Sequence, residues 1–219
     1  MQTDKKYIVV IGDIISSRKV EKRNDLQKKL LAVFNDLNTA DDGKYLISPY
    51  TITLGDEFQA VYEKADYLFL DSIRILEETL PQKIRFSFGI GEISTDINRN
   101  QSIGMDGRAF YFAREGIETL KEIRGSYKFN IYGLEDPKLE KLYNNILMIF
   151  SNLLEGWNSN RYYILRSTIA KKAVKEIARD LLITEAAVYK NITDGSIREM
   201  MAILDIMSSH INEKVLGKR

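Results

Sequence analysis

Apolar residues recur along the chain with two different periods, and each change of period marks the end of a predicted element. Alternating or continuously β-branched runs predict strands, whereas apolar residues spaced three and four apart predict helices. The predicted strands cover 7–11, two short segments within 51–62, 83–93 and 127–132. The predicted helices of this part cover 24–37, 65–80 and 108–123. The order β-α-β-β-α-β-α-β predicts a ferredoxin-like α+β sandwich with one additional helix and strand.

The stretch 51–62, TITLGDEFQAVY, alternates, breaks at Gly55-Asp56-Glu57 and then alternates again. This pattern predicts two strands joined by a tight hairpin, with Asp56 at or near its tip and Gly55 in a conformation with positive φ. Two adjacent carboxylates between buried strands suit a divalent cation. A polar hairpin tip without a ligand gives the same pattern, and Glu57 is tolerated freely at such a tip.

A further acidic residue, Asp13, follows the apolar run of the first strand. Ligands of open sheets commonly bind at the carboxyl ends of central strands, and a carboxylate there is costly unless it is paired or metal-bound. Shortly afterwards come Ser16, Ser17 and Arg18. Their hydroxyl and guanidinium groups would suit a phosphate, although either serine could instead cap the helix that follows.

The C-terminal part is predicted to form a small all-α helix-turn-helix domain. A helix over 137–154 leads to the segment 174–192, VKEIARDLLITEAAVYKNI, which matches a helix-turn-helix. Leu182 stands in its turn, where such motifs usually carry Gly. A final amphipathic helix over 197–215 either closes a small domain or pairs two protomers. The predicted divisions of the chain are an α/β domain over 1–134, a linker helix over 135–160 and a helix-turn-helix domain over 161–219.

The second helix of this motif has a polar face that would meet bases or phosphates in a major groove. Its residues are Thr184, Glu185, Tyr189, Lys190 and Asn191. Three upstream lysines are natural phosphate contacts, namely Lys171, Lys172 and Lys175. A three-helix packing module with no role in DNA binding would give the same pattern.

Charge and composition narrow the choice of chemistry. Residues 1–156 carry 21 Lys and Arg against 24 Asp and Glu, whereas residues 157–219 carry 11 against 7, so an acidic body precedes a basic C-terminal part. The absence of Cys excludes disulfides and thiolate metal sites, and the single His excludes a multi-histidine centre. A metal here must be held by oxygen. Because no apolar run is long enough to span a membrane and the N-terminus lacks signal-peptide features, a cytoplasmic protein is expected.

These residues carry a family resemblance. A first strand that ends in Asp, a helix and a hairpin bearing GDEF resemble the palm-like domains of class III nucleotidyl cyclases and GGDEF diguanylate cyclases. The whole chain most resembles the SatD family of bacterial proteins, whose members carry GD-x-x-x-SR near the start and GDEFQ at the hairpin. The cyclase resemblance implies that Asp13 and Asp56 hold two Mg²⁺ or Mn²⁺ ions, with the backbone carbonyl of Ile14 completing a ligand sphere.

Other positions depart from the cyclase pattern. Ile52 stands where the cyclases carry a purine-reading Lys, and Leu54 replaces the first Gly of the GGDEF signature. Arg114 can be placed as the Arg that steadies the transition state, but the partner Asn is then Phe110. The residues implied for metal binding are therefore present, while those that read the base are not. This favours binding of a nucleotide or other phosphorylated ligand over efficient cyclisation.

The leading hypothesis is a cytosolic bacterial regulator. Its N-terminal domain would bind a metal–nucleotide or another phosphorylated small molecule, and its C-terminal helix-turn-helix would bind DNA as a homodimer. The alternative is an enzyme, a divalent-metal-dependent nucleotidyl transferase or phosphohydrolase that uses Asp13 and Asp56 and dimerises through its helical part. A third possibility is a degenerate domain used only for protein contacts.

Overall fold

The structure is a computed structural model that describes residues 5–15, 23–40, 45–53, 55–123 and 128–217. Its elements are β1 (Lys6–Ile14), α1 (Arg23–Thr39), β2 (Leu46–Ile52), β3 (Glu57–Tyr62), α2 (Leu68–Glu78), β4 (Ile84–Glu92), α3 (Arg108–Glu122), β5 (Phe129–Tyr132), α4 (Pro137–Glu155), α5 (Ser159–Ile169), α6 (Val174–Leu181), α7 (Glu185–Asp194) and α8 (Ile197–His210), which continues into a π-helical turn, Ile211–Val215. The predicted α+β class and the order of the first eight elements are confirmed. Helix α5 was not predicted.

The five strands form one sheet in the order β2-β3-β1-β4-β5. Strand β1 runs antiparallel to both of its neighbours, whereas β5 runs parallel to β4. The continuous apolar run of β1 is explained by cover on both faces, because Ile8 to Ile11 are almost completely buried. The strand is longer than predicted and continues through Asp13 to Ile14, so the carboxylate belongs to the sheet itself.

Helices cover both faces of this sheet. Helix α3 lies on the face formed by Val9, Ile11 and Val61, and α1, α2 and α4 pack on the opposite face. Gly89 allows the close approach of α3, since a Cβ there would lie 2.1 Å from the carbonyl oxygen of Ala109. Glycine at this position is therefore required for the packing of α3 on the sheet.

The C-terminal helices continue the core of the sheet. Helix α4 protects the edge strand β5, because the Asn144 side chain accepts a hydrogen bond from Ile131 N and donates one to Ile131 O, both at 2.8 Å. Asn212, after α8, accepts from Ala65 N at 2.8 Å. One apolar core extends from β4 and β5 to α8. The boundaries at 134 and 160 remain predictions. In the part of the chain described, no helix is long and apolar enough to cross a membrane.

Candidate functional site

Three charged side chains form a row across the centre of the sheet. Asp13 on β1 is the register partner of Glu57 on β3 and of Arg85 on β4. Directly paired residues project to the same face of a sheet, and here that face is the one covered by α3. Arg85 Nη1 donates to Asp13 Oδ2 at 3.0 Å. Both carboxylate residues are only 8% exposed, so each needs a partner.

Helix α3 supplies two more cations to this row. Arg114 donates to both carboxylate oxygens of Glu57, with a distance of 2.7 Å from Nη2 to Oε1, and this bidentate geometry is the strongest that the two groups can form. Lys121 Nζ lies 3.8 Å from Asp13 Oδ1. We call Asp13, Glu57, Arg85, Arg114 and Lys121 the charge cluster. Its formal charge is one positive unit, because three cations face two carboxylates.

Burial is the main electrostatic effect on Asp13 and raises its pKa. Lys121 and Arg85 oppose this effect, while the charge of Asp56 adds to it. The second carboxylate of the charge cluster, Glu57, accepts a hydrogen bond from Arg114, and this bond raises the pKa of Arg114. Asp13 therefore lies in a setting that disfavours its charged form, and the two neighbouring cations partly compensate for that.

The hairpin between β2 and β3 brings the second predicted metal ligand to this place. Gly55 has a φ of 60°, as expected for the turn, and Asp56 follows it at the hairpin tip. The backbone N–H of Ile14 donates to the carbonyl oxygen of Asp56 at 3.0 Å. This bond fastens the hairpin tip to the end of β1, so Asp56, Glu57, Asp13 and Ile14 lie together. The predicted ligands Ser16, Ser17 and Arg18, like Leu54, lie outside the described residues.

The donor atoms at this place are oxygens, the type of ligand atom that hard cations bind. Two carboxylates and a backbone carbonyl are the oxygen ligands that Mg²⁺ and Mn²⁺ prefer. However, the residues that the structure describes contain no cluster of three or more His, Cys, Asp and Glu side chains suited to a metal. Asp13 also holds Arg85 and has Lys121 beside it. A cation bound by Asp13 and Asp56 would therefore compete with these two side chains.

Two members of the charge cluster were missed in the sequence. Arg85 shares its face of β4 with Ser87, Gly89 and Gly91, none of which is charged. An isolated charge on a face of small residues was the feature of the sequence that could have identified Arg85 as a site residue. Lys121 stands seven residues after Arg114, two turns along the same helix. Both residues could be recognised as possible partners, but nothing in the sequence paired them with Asp13.

Comparison with known proteins shows which family this chain belongs to. The sequence model of the SatD family matches residues 7–202. The chain belongs to the SatD family. No curated protein matches it. Among solved structures it is similar to the catalytic core of a rhodopsin-guanylyl cyclase with converted specificity in complex with ATPαS, with 20% identity and a TM-score of 0.33 over 52% of this chain and 74% of that one. The similarity to this cyclase is weak.

In this SatD-family chain, α6 and α7 are joined by three residues. The inward residues of the pair are buried, namely Ile177, Ala178, Val188 and Ile192. Thr184 caps α7, because its hydroxyl accepts from Ala187 N at 3.1 Å. Leu182 has a φ of 55° and is 92% exposed, so the residue that replaces the usual Gly has the left-handed conformation for which Gly is suited.

The predicted DNA-contacting residues of the SatD-family chain divide into two groups. Six of them are exposed on α7, at its N-terminal cap or upstream of it: Thr184, Glu185, Tyr189, Lys190, Lys171 and Lys175. Two others make contacts within the protein. Asn191 Oδ1 accepts from Arg161 Nε at 3.3 Å, which ties α7 to α5. Lys172 forms an ion pair with Asp180 and donates to the Tyr163 hydroxyl at 3.3 Å.

Proposed function

We propose that this SatD-family protein is a regulator that binds DNA through α7 and a phosphorylated ligand at the charge cluster. The observation that carries the DNA-binding part is the exposed polar face of α7. Glu185, Tyr189 and Lys190 point away from the helices on which Val188 and Ile192 pack. A major groove admits one α-helix, and such a face is what the groove would meet.

The charges around α7 support the same proposal. Lys190 on α7 and Lys175 on α6 form no ion pair with any residue that the structure describes, so their charge is available to phosphates. This contrasts with Lys172, which is paired with Asp180. Residues 157–219 carry more basic than acidic residues, which also favours contact with phosphates. A homodimer would present two copies of α7, as helix-turn-helix proteins commonly do.

Binding to labelled duplex DNA tests this part of the proposal. Fluorescence anisotropy at low salt with a duplex of random sequence detects the phosphate contacts, which need no specific operator. Lys190→Gln and Tyr189→Ala are expected to weaken binding, whereas Lys141→Gln, an exposed lysine on α4, serves as the control. Equal binding by Lys190→Gln and Lys141→Gln would contradict a role for α7.

The ligand part of the proposal is supported by the unequal exposure of the cations and carboxylates in the charge cluster. Arg114 and Lys121 are half-exposed, whereas the carboxylates beneath them are buried. A phosphate would engage these two cations, and Mg²⁺ or Mn²⁺ held by Asp13, Asp56 and the carbonyl of Ile14 would replace the charge of Lys121 beside Asp13. When bound, the metal ion would supply positive charge for the phosphate oxygens.

Thermal melting tests for this ligand without requiring turnover, because any ligand of the folded state raises the melting temperature. ATP, GTP and cyclic dinucleotides are compared with and without Mn²⁺. A metal-dependent increase that disappears in Asp56→Ala is expected. If none of these nucleotides changes the melting temperature with Mn²⁺ present, the charge cluster is a structural clamp between α3 and the sheet, and the ligand part of the proposal is wrong.

A second candidate function is a metal-dependent nucleotidyl transferase or phosphohydrolase. The hydrogen bond between Ile14 N and Asp56 O favours it, because it brings the two candidate metal ligands together. Against it, Phe110 is buried in the core beneath α3, at the position where the cyclase resemblance calls for a catalytic Asn. Turnover of nucleoside triphosphates with Mn²⁺, lost in Asp13→Ala and Asp56→Ala, would establish the enzyme.

A further inference from the structure

A cavity of about 170 Å³ lies at the end of the sheet remote from the charge cluster. It opens between the end of α1, the start of β2 and one side of α2. Tyr62 reaches it from β3, five residues after Glu57, which corresponds to roughly 17 Å along a strand. The two side chains also project to opposite faces of the sheet. The cavity is therefore separate from the function proposed above.

Asp71 on α2 lines this cavity with its carboxylate. The Tyr62 hydroxyl donates to Asp71 Oδ2 at 2.6 Å and lies 3.0 Å from the Tyr50 hydroxyl. Burial raises the pKa of Asp71 to about 6, although Tyr62 and Arg74 oppose the increase. The carboxylate is therefore mainly ionised at neutral pH. Within the described parts of the chain, no Lys, Arg or His nitrogen lies within ion-pair distance of it.

Arg74 brings a cationic group to the same cavity, which its side chain lines. Its Nη2 donates to Asp36 Oδ2 at 2.8 Å, and 28% of the side chain is exposed. Arg74 and Asp71 are three residues apart on α2, so their side chains lie on the same side of the helix. The cavity thus pairs an anionic acceptor with a cationic donor one helical turn away.

The remaining lining is apolar and aromatic. The rings of Tyr45 and Tyr67 stack with their centroids 6.3 Å apart, and Leu37 and Leu46 complete the wall. A volume of this size is below the roughly 300 Å³ at which sites for drug-sized ligands begin, so the ligand must be small. Aromatic rings beside a carboxylate also favour an organic cation.

We propose that this cavity binds a free α-amino acid. The ammonium group would pair with Asp71, the carboxylate would pair with the Arg74 guanidinium group, and the side chain would lie against the tyrosine rings. A zwitterion matches the site because its ammonium and carboxylate groups are attached to the same carbon atom and carry opposite charges. Both charged groups of the cavity would then bind a group of opposite charge.

Thermal melting and calorimetry with the full-length protein test the proposal. The twenty amino acids are screened at millimolar concentration, and each one that binds is compared with its methyl ester and its N-acetyl derivative. At least one amino acid is expected to raise the melting temperature. Both derivatives are expected to bind more weakly, because each removes one of the two charges. If no amino acid binds, or if the derivatives bind equally well, the proposal is wrong.

Asp71→Asn provides the decisive variant. It keeps the shape of the side chain and removes a charge whose burial is unfavourable, so folding is expected to be retained. Loss of a charged hydrogen-bond partner should weaken amino-acid binding by roughly tenfold or more. Glu78→Gln, a half-exposed acid on the same helix and outside the cavity lining, should bind as the unmodified protein does. Unchanged affinity in Asp71→Asn would overturn the assignment.

Discussion

Asp13 and Arg85 are directly opposite each other on β1 and β4, and the 3.0 Å contact between Asp13 Oδ2 and Arg85 Nη1 lies in the sheet beneath α3. Both side chains are largely buried, so the pair cannot exchange freely with water. Breaking a buried pair by removing one partner leaves an uncompensated charge, which costs more than the pair itself contributes.

Arg85→Met is therefore expected to lower the free energy of unfolding by about 3 kcal/mol. Adding Asp13→Asn should restore part of this loss, because the orphaned charge is then absent, and a double-mutant cycle measures the coupling. Arg99→Met changes an exposed arginine and is the control. Chemical denaturation gives the free energy of unfolding of Arg85→Met, Asp13→Asn, the double variant and Arg99→Met. Equal losses for Arg85→Met and Arg99→Met would show that the contact contributes nothing.

Gly89 is expected to tolerate no larger side chain. A Cβ at this position would lie 2.1 Å from Ala109 O and 2.4 Å from Ala113 N, and both are backbone atoms that cannot rotate away. Gly89→Ala should therefore displace α3 and lower the free energy of unfolding by about 2 kcal/mol or more. Gly156→Ala is a matched control, because the added Cβ would lie 4.0 Å from the carbonyl oxygen of Leu153. Denaturant midpoints that fall equally in both variants would argue against close packing of α3.

The ion pair between Lys128 and Glu155 joins the start of β5 to the end of α4. Lys128 is only 4% exposed, and its Nζ lies 2.8 Å from Glu155 Oε2. Glu155→Gln should destabilise the protein by about 3 kcal/mol, because a buried ammonium group loses its counter-charge. Removing the other partner of Glu155, the more exposed Lys83, should cost less than about 1 kcal/mol. A larger loss in Lys83→Gln than in Glu155→Gln would contradict this assignment.

The same pair predicts a pH effect. Burial alone would raise the pKa of Glu155, but Lys128 and Lys83 lower it from 4.5 to about 2. Its stabilising contribution is therefore complete above pH 4.5 and is lost as the pH falls towards 2. The acid limb of the stability curve should be less steep in Glu155→Gln.

Asp71 predicts the opposite dependence on pH. Its pKa is about 6 in the folded protein against a usual value of 3.8, so the folded state holds the proton more tightly. The stability contribution is greatest below pH 3.8 and falls as the pH rises to about 6, by about 3 kcal/mol in total. Asp71→Asn should be more stable than the unmodified protein at pH 7 and should lack this decrease. Thermal melting between pH 4 and 7 measures it, and parallel curves for the two proteins would contradict it.

The elements of this fold could be predicted from the sequence because hydrophobic period is a local signal. Even the unusual turn residue Leu182 could be identified from its place between α6 and α7. Helix α5 was missed, since its buried residues Tyr162, Ile164 and Leu165 fall almost consecutively and form no helical stripe. The partners of Asp13 could not be predicted, because Arg85 is 72 residues away and only the sheet register brings the two together.

The salt dependence of DNA binding tests the central claim most directly. The logarithm of the association constant for a random-sequence duplex is measured against the logarithm of salt concentration for the unmodified protein, Lys175→Gln, Lys190→Gln and the control Lys141→Gln. A steep negative slope is predicted, and each of the first two substitutions should reduce its magnitude by about 1, because each removes one phosphate contact. A slope near zero, or identical slopes in all four proteins, would contradict DNA binding through α7.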